Sequence, residues 1–243
     1  MFRTEEGVPV PAVSVQEMRE IDRIAVEDTG PTLLQMMEHA GLNLALLAIE
    51  MLGPEWGAGR VIVLAGAGGN GAGGICAARH LANRGVDVLA VTTDAPARAD
   101  GALAQQLMAL GEAPANVIPF SEAFDVAAAD LVIDAVVGYS LEGAPRGAMM
   151  ALVRAAGATA APVLSLDIPS GVDADSGETA GVAVSPRATL TLALPKYGLR
   201  AENAGELWLA DLGIAPGVYA RAGLTFETPF GASGRVRLKY PEG

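Results

Sequence analysis

From Arg60 onward, short runs of β-branched and aliphatic residues alternate with stretches of helical period. Residues 61–65 read as a strand, Gly66 to Gly74 as a glycine-rich turn, and residues 75–84 as a helix. The pattern continues with strands over 86–92, 117–119, 131–135 and 163–166 and helices over 102–110 and 149–156. Residues 188–194 and 206–210 read as further strands. Such alternation implies right-handed crossovers and a mostly parallel, doubly wound sheet between helical layers, a Rossmann-like three-layer α/β/α fold.

Two N-terminal helices precede this region. Ser14, followed three residues later by Glu17, has the form of a capping box and leads into Met18, Ile21, Ile24 and Ala25. A second helix begins near Thr32 and Gln35, carries Leu33, Leu34, Met37, Ala40 and Leu44, and stops at Gly53-Pro54. No repeat, low-complexity tract or linker divides the chain, so residues 1–243 are expected to form one domain with a core over about 13–214. Residues 215–243 read as a peripheral C-terminal extension, in which Arg235, Arg237 and Lys239 alternate with Val236 and Leu238 as a charged edge strand would.

Hydrophobic residues make up 51% of the 243 but aromatics only 5%, so aliphatic side chains must fill the core, as suits a parallel sheet covered by helices. The net charge of -12 argues against nucleic acid and anionic membranes as partners. Cys76 is the single cysteine, which excludes an intrachain disulfide and a multi-cysteine metal site and fits a cytoplasmic location. Every apolar run is broken before membrane-spanning length, and no export segment is expected. His39 and His80 fall on helices without evident partners and read as packing or surface residues.

In a doubly wound sheet, ligands gather beyond the carboxyl ends of the strands. The first candidate there is the glycine-rich turn, which would let a ligand approach backbone N–H groups at a helix N-terminus. Gly66, Gly68 and Gly71, with Asp94 after the next strand, also satisfy a dinucleotide fingerprint, while close strand-to-helix packing would explain the same glycines. The second is Asp134, which could bind a cation or orient a hydroxyl, or serve only as a cap. The third is the segment from Ser165 to Asp173, where Asp167 could transfer protons and Ser170 could give oxygen to a hard cation such as potassium. An Asx-type turn without chemistry is the alternative there.

At these residues the chain resembles the YjeF N-terminal domain family, whose enzyme members are NAD(P)H-hydrate epimerases. The resemblance runs from about Val13 to Ile214. It rests on Met36-Met37-Glu38-His39-Ala40-Gly41, the glycine-rich turn, the Asp134 loop, the Asp167-to-Asp173 segment, Leu194-Pro195-Lys196-Tyr197-Gly198-Leu199, and Leu207 to Ile214. The resemblance implies epimerisation of hydrated NADH and NADPH at the hydroxyl-bearing ring carbon, with a separate NAD(P)H-hydrate dehydratase completing repair. It implies Asp167 as the acid/base or a substrate-orienting carboxylate, and Asn70, Asp134 and Ser170 as ligands of a potassium ion. Substrate contacts fall to Gly69, Asn70, Gly71, Ala72 and Gly73, to Gly138, Tyr139, Ser140, Leu141, Glu142, Gly143 and Ala144, and to Lys196, which would neutralise a phosphate, support Asp167 or lie in solvent. A homodimer is the assembly implied.

The family turn G-x-G-N-N-G-G-D-G is altered here by Gly69, Ala72 and Gly73, the last in place of the acid. Tyr139 and Ser140 stand where the family commonly has Thr and Gly. Two other functions fit the same residues: a non-catalytic nucleotide-binding or dimeric interaction module, and an NAD-dependent oxidoreductase built on Gly66, Gly68, Gly71 and Asp94.

Overall fold

The computed structural model describes residues 1–241. Among these, ten strands form one sheet: β1 (Phe2–Thr4), β2 (Pro9–Val10), β3 (Arg60–Ala65), β4 (Asp87–Thr92), β5 (Asn116–Pro119), β6 (Leu131–Ala135), β7 (Val163–Leu166), β8 (Ala188–Leu192), β9 (Glu206–Ala210) and β10 (Arg235–Lys239). Their order across the sheet is β2-β1-β10-β9-β8-β7-β6-β3-β4-β5. The stretch from β9 to β5 is parallel, and β10, β1 and β2 extend it antiparallel.

Both faces of the parallel sheet are buried, which explains its unbroken aliphatic strands. In β3, Val61, Val63 and Ala65 face one apolar cluster while Ile62 and Leu64 face the other. The helices α1 (Val15–Arg23), α2 (Leu33–Leu52), α3 (Gly69–Ala82) and α4 (Gly101–Leu110) cover the first face, and α5 (Gly147–Ala158) covers the second through Leu152, Val153 and Ala156. Among the described residues no helix is long and apolar enough to cross a membrane.

The expected capping box at Ser14 forms, and α2 starts with a second one. Glu17 N–H donates to Ser14 Oγ at 3.2 Å while Ser14 N–H donates to the Glu17 carboxylate at 2.7 Å. Thr32 and Gln35 make the reciprocal pair at 3.4 and 2.8 Å. Each such cap contributes about 1 kcal/mol by satisfying N–H groups that the helix leaves free. Beyond Arg23 the first helix continues as a π-helical segment, Ile24–Thr29.

Three expectations need correction. The glycine-rich stretch is not a turn throughout, because α3 begins at Gly69 and Gly69 to Gly74 form its first turns. Glycine's poor helix propensity hides that start in the sequence. The basic strand β10 is not an edge: it lies between β9 and β1, with Arg3 opposite Lys239 and Leu238 opposite Leu207. Nor are residues after 214 peripheral, since beyond the short helix α6 (Ala201–Ala204) the helix α7 (Pro216–Arg221) buries Val218 and Tyr219, and β10 buries Leu238 in the main core.

Candidate active site

The sheet reverses its winding between β3 and β6, the place where a doubly wound fold opens a crevice beyond its strand ends. There the loop after β3 touches the loop after β6, with Gly66 N–H donating to Ala135 O at 3.1 Å. A Cβ on Gly66 would collide with the Val136 carbonyl, and one on Gly71 with the Gly66 carbonyl, so these two glycines serve close backbone approach. Gly71 and Ala72 are consequently buried in packing, whereas Gly69, Asn70 and Gly73 line the adjacent cavity of about 220 Å³. A Cβ on Gly73 would stand 2.9 Å from Leu166 Cδ2, so the side chain missing from this position would press on β7.

Asp167 and Lys196 form the cavity's charged floor. Lys196 Nζ donates to Asp167 Oδ1 at 2.5 Å and to the Leu192 carbonyl at 2.9 Å. The lysine is 0% exposed and the aspartate 3% exposed, which rules out a solvated surface lysine. Left-handed backbone occurs at both adjacent strand ends, at Asp167 itself with φ 69° and at Ala193 with φ 60°, three residues ahead of Lys196. Non-glycine residues rarely adopt that conformation, and such strain clusters where a fold holds chemistry in place. Asp167 Oδ2 takes a further bond from Tyr139 N–H at 3.2 Å, and a Cβ on Gly138 would sit 2.9 Å from Asp167 Oδ2 and 3.2 Å from Asn70 Oδ1. Gly138 thus lets Asn70 and Asp167 approach each other.

Asp22 is the site residue that the sequence reading missed. It lines the cavity beside Met18, and its Oδ2 accepts from Tyr139 Oη at 2.5 Å. Burial pushes its carboxyl above the ordinary range, the Tyr139 hydroxyl pulling the other way. The signal was present in α1, because Asp22 stands four residues after Met18, on the apolar stripe. The helix reaches the cavity because Val13 pairs with the loop after β8: Val13 N–H donates to Pro195 O at 2.9 Å, and Tyr197 N–H to Val13 O at 3.1 Å.

Asp134 and Ser170 lie behind the cavity, both fully buried. The Asp134 carboxylate accepts from Ser170 Oγ at 2.6 Å, Ser165 Oγ at 2.8 Å and Ser170 N–H at 2.9 Å. All these donors are neutral, and burial raises the carboxyl's pKa against them. Of the loop after β6, Gly138, Tyr139 and Ser140 line the cavity. Leu141 and Gly143 instead line a separate shallow depression with Asp173 and Glu178, Glu142 reaches out to Arg19 at 3.9 Å, and Ala144 lies against Gly181. Asp94 borders another depression with Gly66 and Ala67, apart from Asp167 and Lys196.

His80 does have partners, contrary to the sequence reading. Its Nε2 lies 3.2 Å from the Glu38 carboxylate, which also takes the Arg79 guanidinium and, at 3.5 Å, the Cys76 thiol. Burial pushes Cys76 up to about 12. A Cβ on Gly41 would collide with Cys76, so this polar clasp fastens α2 to α3 at close range.

Comparison with known proteins places this geometry in context. Residues 33–198 match the family described as YjeF-related protein N-terminus. A protein of Dehalogenimonas lykanthroporepellens named NAD(P)H-hydrate epimerase is 51% identical over 245 residues, covering 99% of this chain and 98% of that protein. A Rhodopirellula baltica protein of the same name is 34% identical, covering 84% and 85%. Hyperthermus butylicus has a bifunctional NAD(P)H-hydrate repair enzyme that is 36% identical over 86% of this chain and 42% of that protein. The crystal structure of yeast YNL200c shares the fold, with a TM-score of 0.80 at 23% identity over 94% of this chain and all of that one. The chain therefore belongs to the YjeF-related N-terminal family.

Proposed function

We infer that this chain is an NAD(P)H-hydrate epimerase, an isomerase that interconverts the two epimers of hydrated NADH and NADPH. The observation that carries the chemistry is the buried Asp167–Lys196 pair on the floor of a cavity whose wall includes Met18, Met36, Met37 and Leu212. Near-complete identity of extent with a relative named for this activity supports the same reading. The cavity's 220 Å³ suits a ring and its substituents, with the remainder of a dinucleotide lying outside.

The hydrated ring carbon is bonded to the ring nitrogen. Loss of its hydroxyl leaves a cation that the nitrogen lone pair stabilises, and addition of water from the other face inverts the centre. The reaction needs a proton acceptor held near that carbon and a surrounding that tolerates positive charge. Asp167 would supply the first as acid/base, and its fixed carboxylate the second. Lys196 would hold Asp167 in place through its two bonds. Asn70 would contact the substrate, its buried Nδ2 having no partner among the described residues.

Potassium is the cation we propose for Asp134, Ser170 and Asn70. A buried carboxylate surrounded only by neutral donors is costly, and the all-oxygen donor set suits a hard monovalent ion that would compensate its charge. Because epimerisation only interconverts isomers, we place a separate dehydratase downstream as the enzyme that consumes one of them. Incubating the folded protein with one pure epimer and following the other by chromatography tests the reading. Conversion well above the spontaneous rate is expected, and no acceleration in the presence of potassium would overturn it.

A further inference from the structure

Inversion by loss and return of water asks for two proton-handling groups. One must protonate the departing hydroxyl, and the other must take a proton from the water that adds to the opposite face. A single carboxylate on one wall can serve only one face at a time. The cavity holds a second carboxylate that the proposed function has not used.

Asp22 comes from α1 and Asp167 from the end of β7, and both line the cavity. Tyr139 spans them, its backbone N–H donating to Asp167 Oδ2 at 3.2 Å and its hydroxyl to Asp22 Oδ2 at 2.5 Å. The two carboxylates are therefore bridged by opposite ends of one tyrosine while both border the same cavity of about 220 Å³. Lys196 Nζ sits 5.6 Å from the centre of the Tyr139 ring, so the same cation that pairs with Asp167 also faces the spacer. Tyr139 engages only Oδ2 of Asp22, leaving Oδ1 to carry a proton. The groups that face Asp22 are Tyr139, Lys196 and Asp167 across the cavity and Tyr219 of α7 beside it. Burial raises the Asp22 carboxyl from its ordinary value, the direction that favours a proton donor, while the Tyr139 hydroxyl and Lys196 work against it.

We propose that Asp22 is the second acid/base of the epimerisation, acting on the face opposite Asp167, and that Tyr139 is the residue that positions it. This rests on the epimerase reading. In one direction the Asp22 carboxyl gives its proton to the hydroxyl, the C–O bond breaks, and water leaves as the ring nitrogen lone pair forms the C=N bond of the cation. Water on the other side then adds to that carbon, the C=N electron pair returns to nitrogen, and the water's proton passes to Asp167. The reverse reaction exchanges the two roles, and solvent restores the starting protonation between turnovers.

The test compares wild type with Asp22→Asn, Asp22→Glu and Tyr139→Phe, measuring kcat and KM against pH on a single pure epimer. Circular dichroism and thermal melting verify that each variant is folded. Asp22→Asn is expected to lower kcat by about 10² to 10⁴ with KM close to wild type and to remove one limb of the pH profile. Asp22→Glu should restore part of kcat together with that limb. Tyr139→Phe should lower kcat less and move the limb to higher pH, because the bond that pulls the Asp22 carboxyl down is gone. Unchanged kcat and both limbs retained in Asp22→Asn would overturn the proposal. Carbon-13 NMR of the aspartate carboxyls gives a readout independent of turnover: an Asp22 that titrates in the ordinary range and does not move in Tyr139→Phe would also overturn it. Wild type that fails to epimerise at all would instead overturn the epimerase reading, so the two failures are distinguishable.

Discussion

Two buried aspartates end neighbouring strands of this sheet, and their surroundings differ in one respect. Asp167, after β7, meets the ammonium group of Lys196, whereas Asp134, at the end of β6, meets only hydroxyl and N–H groups. Asp167 faces the cavity on strained backbone, while Asp134 lies behind it with Ser170. The comparison separates two tasks that adjacent carboxylates can perform in one fold. A carboxylate with a built-in counter-charge can stay buried beside a substrate, and one without it makes a site for a cation from solution.

Removing the counter-charge tests the first half most severely. Lys196→Met should cost about 3–5 kcal/mol, because it leaves Asp167 buried and unpaired. In a chain of 243 residues that corresponds to a fall in melting temperature of roughly 10 °C, readable by calorimetry. Adding Asp167→Asn to that variant should recover much of the loss while turnover stays absent, since no isolated charge then remains. A double variant as unstable as the single one would show that the lysine acts through packing alone.

Asp167→Asn by itself leaves the buried Lys196 ammonium without its counter-charge, so it should also lose about 3–5 kcal/mol of stability, and the folded variant should show kcat lowered by about 10² to 10⁴. At Asp134 the expected effect is smaller and depends on salt. Replacing choline chloride by potassium chloride should raise the wild-type melting temperature by a few degrees, in line with the roughly 2.7 kcal/mol gained at a hundredfold excess over the dissociation constant. Asp134→Asn should abolish that difference. An equal potassium effect in the variant would break the contrast between the two sites.

Glu38 supplies the exposed end of the series. Burial works upward on its carboxyl, but Arg79, His80 and Cys76 together hold it below its ordinary value of 4.5. A depressed value means that its contribution is full above the ordinary carboxylate range and is lost as the pH falls through the folded value. Glu38→Gln should therefore flatten the acid limb of a stability profile by less than about 1 kcal/mol, since the group is half exposed and screened.

The parallel strands were legible because both faces of the sheet are covered, so β3, β4 and β6 appear as plain aliphatic runs. The capping box at Ser14 was legible because it is local chemistry. β1 and β2 were not, being three and two residues long, β1 formed by pairing with β10 at the far end of the chain and β2 by pairing with β1. That pairing is also why an alternating basic strand became an interior one. In the site, Asp134, Asp167 and Ser170 could be read from their positions after strands. Asp22 left only the weak mark of an acid on the apolar stripe of α1, because its partner Tyr139 lies 117 residues away. Lys196 could be read from the family resemblance alone, for nothing local distinguishes a lysine buried with its counter-ion from a solvated one.

The most direct test of the whole account starts from each pure epimer of NADH hydrate in turn, with wild type and Asp167→Asn in potassium buffer. Wild type should carry both samples rapidly to the same equilibrium mixture, and Asp167→Asn should do so at least about 100-fold more slowly. Wild-type samples that stay at their starting composition, or that move only in one direction, would contradict it.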